Sequence, residues 1–141
     1  MPAEAVQVIE RAYASGVFGN GPQAERQQRL RELAARSDAD SRASLAARTA
    51  EAAKAKDGNA LVRIGMVHVT IGQTDQGVAL IEQGIAKGGL KRPDDAKLRL
   101  GMAQLQAPKL KSRAAQTLRS VGGSDGTSDV ARLWIVAGAG T

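Results

Sequence analysis

The chain has 141 residues, with 20 Lys or Arg against 14 Asp or Glu for a net charge of +6, and no Cys. That length supports one domain with a modest core, and the lack of thiols excludes disulfides and thiolate metal sites. Aromatic residues make up only 2% of the sequence, so Leu, Ile, Val, Met and many Ala must fill the interior, which implies helices that approach one another closely.

The composition favours helix throughout, and no stretch alternates as a strand does. Eight helices are predicted. Pro2 suits a helix start, and Ala5, Val6, Ile9, Ala12 and Tyr13 recur at helical spacing before Gly16. This opening segment carries Glu4 and Glu10 and is not a signal peptide. After the Gly19-Asn20-Gly21 loop a second helix is expected from Pro22 to about Arg36, with Leu30, Leu33 and Ala34 inside and Arg26, Arg29 and Arg31 outside. Ser37 to Asp40, rich in N-cap residues, reads as a break. A third helix then runs to Lys56 with Leu45, Ala46, Ala50 and Ala53 on one side.

Asp57-Gly58-Asn59 breaks the chain again, and Asn59 is placed to cap a fourth helix that turns Leu61, Ile64, Val67, His68 and Ile71 inward and stops at Gly72. Thr74 is the expected cap of the fifth helix, whose stripe is Val78, Ile81 and Ile85, ending at Gly88-Gly89. Pro93, Asp94 and Asp95 suit the first turn of the sixth, followed by Leu98, Leu100, Met102 and Leu105. Ala107-Pro108 makes a turn. The seventh carries Leu110, Ala114, Ala115, Leu118 and Val121 before Gly122-Gly123, and the eighth, from Ser128, holds Val130, Leu133, Trp134 and Ile135. Gly138 and Gly140 are expected to let the tail fray.

Much of the stretch from Asn59 returns after 36 residues: Ile64-Gly65-Met66 becomes Leu100-Gly101-Met102, and each copy closes on a Gly pair. A repeat of about this length marks a helical solenoid. These residues resemble tetratricopeptide repeats, a family whose unit is a helix pair with small residues where the helices touch. Gly65 and Gly72 match its two Gly positions, and Leu61 and Ile64 its preceding large apolar positions. Gly77, Ile81 and Gly84 stand where the family usually has Ala, an aromatic and Ala. In the second copy Pro108 replaces the turn Gly, and Lys97 stands where the first has Leu61. His68 and Gln104 occupy the position of a first-helix aromatic.

The resemblance implies an all-α, right-handed α-α superhelix over 1–141: a diverged helical part at 1–57, two repeats at 59–123 and a capping helix at 128–137. It also suggests the C-terminal portion of a longer bacterial protein. In this family the first helix of each repeat lines a concave groove. Its positions here would be Asn59, Arg63, Met66 and Thr70, then Asp95, Arg99, Met102 and Gln106. Arg63 and Met66 recur as Arg99 and Met102, pairing planar carboxylate recognition with an adaptable apolar contact. A peptide or partner helix with acidic groups would suit such a groove.

Other features read as structural. His68 has no Cys, Ser or carboxylate at a catalytic spacing. Asp94 and Asp95 are explained by a helix N-terminus. GNGPQA lacks the preceding strand and the Lys of a phosphate cradle, and SDGTSD is too short for a calcium loop. Trp134 is expected to anchor the last helix. No catalytic set and no cofactor site is found. The reading is a non-catalytic scaffold for a protein or peptide. The alternative is an acidic partner or nucleic acid on the stretch from Lys87 to Arg119, where nine Lys or Arg face two Asp, although few aromatics are present to stack bases. Self-association through exposed solenoid ends is a further option. No run is long enough to span a membrane, and cytosol and periplasm are both compatible.

Overall fold

The structure, a computed structural model, describes residues 2–139. Among them are seven α-helices and no strand: α1 (Pro2–Ala14), α2 (Ala24–Lys54), α3 (Asn59–Thr70), α4 (Thr74–Lys87), α5 (Pro93–Gln106), α6 (Lys111–Arg119) and α7 (Thr127–Ala139), with a 3-10 turn at Pro108–Leu110. No helix among the described residues is long and apolar enough to cross a membrane. Gly138 lies within α7, and Gly140 lies outside the described residues.

Seven helices stand where eight were expected because Ser37–Asp40 does not interrupt α2. None of its four residues removes a backbone donor or needs a left-handed conformation, so the break rested on small propensity differences. Arg42 Nε donates to Asp38 Oδ2 at 2.7 Å across the junction, an i,i+4 pair that suits a continuous helix. The chain divides into two compact units, Met1–Arg48 and Thr49–Thr141, with the division inside α2 rather than at Asp57.

In the first unit, α2 turns an unexpected side to α1. Arg31, expected outside, donates through Nε and Nη2 to both Glu10 carboxylate oxygens at 2.6 Å and lies 4.6 Å over the Tyr13 ring. This hydrogen-bonded pairing holds the Glu10 carboxyl below its usual range. Tyr13 meets Phe18 edge-to-face at 5.8 Å, and Gln27 Oε1 accepts the Gly19 N–H. Gln27, Arg31 and Ala34 thus form the contact stripe. Leu30 and Leu33, expected inside, are exposed. On α1, Ala3 and Ile9 are buried and Ala5 is exposed. Further along α2 the buried positions are Leu45 and Ala52 with Thr49 partly buried, one step round the helix from the expected Ala46, Ala50 and Ala53.

The second unit is built on glycine. A Cβ on Gly65 would lie 2.7 Å from Ile81 Cγ1 and 2.8 Å from the Gly77 carbonyl oxygen, and one on Gly77 would lie 2.6 Å from the Gly65 carbonyl oxygen. At the other end of the same antiparallel pair, Gly84 sits against Gly58. Gly72, at φ +87°, supplies the left-handed residue that ends α3. In the second pair Gly101 faces Leu118 of α6. Helix α3 packs on α4, α4 on α5, α5 on α6 and α6 on α7, and α5 also touches α3 and α7. One apolar cluster joins α3, α4 and α5 around Val62, Ile81, Leu100 and Ala103. A second joins α5, α6 and α7 around Leu98, Leu118, Val121 and Ala131.

The helix starts differ from expectation in detail. Asn59 and Thr74 are first helical residues, not caps; Gly58 and Gln73 precede them and make no side-chain cap bond. Instead, Asp57 Oδ1 accepts the Asn59 N–H at 2.9 Å. Asp125 Oδ1 likewise accepts the Thr127 N–H and hydroxyl at 3.1 and 2.5 Å. The sequences Asp-Gly-Asn and Asp-Gly-Thr make the same local turn. Trp134, expected as an anchor, is 37% exposed; Ala131 and Ile135 face the core instead.

Adding a methyl at an ordinary helix-interior Gly stabilises by roughly 0.5–1 kcal/mol. Gly65→Ala is expected to do the opposite, costing about 1–3 kcal/mol by overpacking, read as a lower melting temperature by calorimetry. A rise would mean that α3 and α4 are not in backbone contact.

Hydrogen bonds from Asn59, side chain and then backbone, hold Asp57 below its usual carboxylate range, and those from Thr127 do the same for Asp125. With folded values lowered, their contribution is present above the unfolded pKa of about 4 and is lost as pH falls through the folded values. Wild-type melting temperature is expected to fall more steeply below about pH 4 than that of an Asp57→Asn, Asp125→Asn double variant. Parallel acid limbs in the two melting curves would rule out this origin.

Candidate functional site

The site begins with the clasp that holds the link between α4 and α5. Asn59, in the first turn of α3, donates from Nδ2 to the Gly89 carbonyl at 3.1 Å and accepts the Lys91 N–H on Oδ1 at 3.1 Å. One amide side chain thereby satisfies both polarities of the linker backbone and fixes where Lys91 and Arg92 leave it. The second pair repeats the device with an acid: Asp94 Oδ1, at the start of α5, accepts the Gly122 N–H at 3.0 Å. Each first helix is thus tied at its start to the segment that follows its own second helix.

Beside the clasp a cleft of about 240 Å³ opens between the first halves of α3 and α5. Asn59, Arg63, Asp95 and Arg99 line it together with Lys91 and Arg92, over a floor of Val62, Leu90 and Ala96. Four of the eight expected groove residues therefore meet at one opening. Arg99 Nε donates to Asp95 Oδ2 at 2.8 Å, an i,i+4 pair that orients the guanidinium along α5. Arg92 Nη2 reaches Asp125 Oδ2 at 3.3 Å. Arg63 is exposed, and neither it nor Lys91 has an ion-pair partner among the described residues. Both lie near enough to Asp57 to contribute to its lowered pKa. With four cations and Asp95 around it, the cleft favours an anionic group, which arginine engages through paired N–H donors.

The other four expected residues do not line the cleft. Met66 packs against the cluster around Ile81, and Met102 against that around Leu118. The Thr70 hydroxyl donates to the Met66 carbonyl at 3.0 Å, and Gln106 is exposed at the end of α5. Lys91 and Arg92 were not among the expected groove residues because the repeat pattern concerns helices, whereas these two lie on the linker. The signal available was Asn59, a residue with both donor and acceptor opposite a Gly pair.

His68 is buried and structural in its contacts: its Nδ1 lies 2.6 Å from Gln73 Oε1 and its Nε2 3.1 Å from Thr49 Oγ1. Asp125 of the Ser-Asp-Gly-Thr turn is occupied by the Thr127 bonds and Arg92. Among the described residues no three His, Cys, Asp or Glu side chains are grouped to hold a metal ion. Compared with protein families, with characterised proteins and with solved structures, the chain matches none.

Proposed function

We propose that the chain is a non-catalytic interaction scaffold that binds a peptide or partner protein carrying acidic groups, and that its 59–123 region is a tetratricopeptide-like stack of helix pairs. What supports the stack is the order of packing, in which each helix lies on the next and α5 touches both α3 and α7. Glycine at the inner contact of both pairs points the same way. The observation that carries the function is the cleft, where Arg63 and Arg99, 36 residues apart in sequence, stand round one opening with Lys91 and Arg92.

Nucleic-acid binding by the basic stretch from Lys87 to Arg119 is the weaker reading. Arg92, Lys97, Arg99 and Arg113 are paired with Asp125, Asp94, Asp95 and Glu82, and Lys87 Nζ donates to the Ala53 carbonyl. Those engagements break up a continuous track for phosphates.

A variant carrying Arg63→Glu and Arg99→Glu is expected to lose at least about tenfold in capture of a partner bound by the wild-type chain, the size of a lost charge-assisted contact, with unchanged helical content by circular dichroism. Undiminished capture would remove the cleft as the binding site. DNA and RNA binding is expected to be absent at physiological ionic strength; a steep, salt-dependent affinity in a titration would restore the alternative.

A further inference from the structure

The face that forms the cleft continues onto α7 and changes character there. In α5 the core-facing residues Ala96 and Leu100 are each preceded in sequence by a residue that lines the cleft, Asp95 and Arg99. In α3, Arg63 likewise precedes the buried Ile64. In α7 the core-facing residues are Ala131, Ile135 and Gly138, the last placed so that a Cβ would lie 2.7 Å from Leu105 of α5. The residues before them are Val130, Trp134 and Ala137, all exposed. Helices α5 and α7 run in the same sense, since Arg92 meets Asp125 near their starts and Leu105 meets Gly138 near their ends. The residue just before each core position therefore projects to the same side on α3, α5 and α7. That side is cationic and polar on the first two helices and apolar on the third, where Leu133, 69% exposed, widens the stripe.

Resting on the reading of the cleft as a binding site, we propose that the exposed face of α7 is the second half of that site, and that the ligand is a peptide with a carboxylate side chain at one end and a large apolar side chain at the other. The acid sits at Arg63 and Lys91, and the apolar group lies on Val130, Leu133 and Trp134. Touching helices lie about 8–10 Å apart, and an extended peptide advances about 3.3 Å per residue. Because α5 lies between α3 and α7, two such spacings, about 16–20 Å, separate the two groups, which is roughly five to six residues of such a ligand. An exposed apolar patch next to charged groups marks interaction surfaces, and the unpaired cations beside this one set the chemistry of the other end.

The test is selection of a random peptide library on the full chain, repeated on Leu133→Lys and on Arg63→Glu. Asp129 precedes position 133 by one helical turn, so a lysine there suits the helix, and the exposure of Leu133 leaves the melting temperature little changed. Selected peptides are expected to carry Asp or Glu and, roughly five to six residues away, Leu, Phe or Trp. Their affinity is expected to drop about tenfold on Leu133→Lys, and their binding to shift the emission of Trp134, the only Trp in the chain. Acidic peptides bound equally well by Leu133→Lys would overturn this inference and leave the cleft standing. Selection with no acidic enrichment and no effect of Arg63→Glu would overturn both. A Trp134 shift driven by protein concentration alone, and abolished by Leu133→Lys, would assign the stripe to a second copy of the chain and overturn the ligand proposed.

Discussion

Backbone meets backbone where α3 crosses α4, at Gly65 against Gly77 and Gly58 against Gly84, and the rest of the second unit is arranged around that contact. Glycine in a helix interior costs roughly 0.5–1 kcal/mol relative to alanine, so the three helical ones at this contact, Gly65, Gly77 and Gly84, represent a local penalty. The return is close approach. With no Cβ between the helices, Ile81 is held fully buried, and Val62 and Val69 lie against the partner backbone instead of being held off it. An interior poor in aromatics has few large side chains with which to span a wide gap. Bringing the backbones together is the way such a composition reaches the density of a folded core.

Close approach in α3–α4 also sets the cleft. Because α4 ends directly beside the start of α3, the Gly88–Gly89 turn comes within reach of the short Asn59 side chain, which could not clasp a linker lying a helix diameter away. The clasp then aims Lys91 and Arg92 toward Arg63 and Arg99. In the second pair Leu118 fills the space over Gly101, so a side chain and not a backbone makes the contact, and the acid Asp94 does the clasping. One repeat uses an amide and the other a carboxylate for the same purpose, which is why Asp94 is taken up by structure while Asp95 and Arg99 face the cleft.

The second unit was legible because two signals coincided there: an interval of 36 residues and glycine at fixed places within it. Half the cleft followed from the same interval. The errors share a cause. At Leu30, Leu33 and Trp134 the larger apolar residue was taken as the buried one. In this chain the contacts are made by small residues, and Ala96, Ala103, Ala114 and Ala131 are among its most buried positions. In α7 the Ala131 and Gly138 side can approach α5 and α6 where a Trp134 side could not. In α2 the long Arg31 side chain lays its guanidinium over the Tyr13 ring, a packing role that a hydrophobicity pattern does not register.

The repeated position held by His68 and Gln104 shows how far the two helix pairs have diverged in their interiors. Both side chains are polar and buried. His68 is bonded at both ring nitrogens, to Thr49 and to Gln73, and so joins the end of α2, α3 and the turn into α4 in one network. Gln104 Oε1 has no partner, and an unpaired buried acceptor costs roughly 1–3 kcal/mol. The neighbours account for the difference. His68 faces a helix end that brings a hydroxyl at Thr49, and Gln73 lies in the turn that follows. Gln104 lies beside the apolar cluster around Ala103 and Leu100, and the turn that follows it has Pro108, which offers no backbone N–H to an orphaned oxygen. At this position the first pair meets α2 through directional bonds and the second pair makes none, its polar ties to the first lying elsewhere, at Arg113–Glu82 and at the Asn59 clasp.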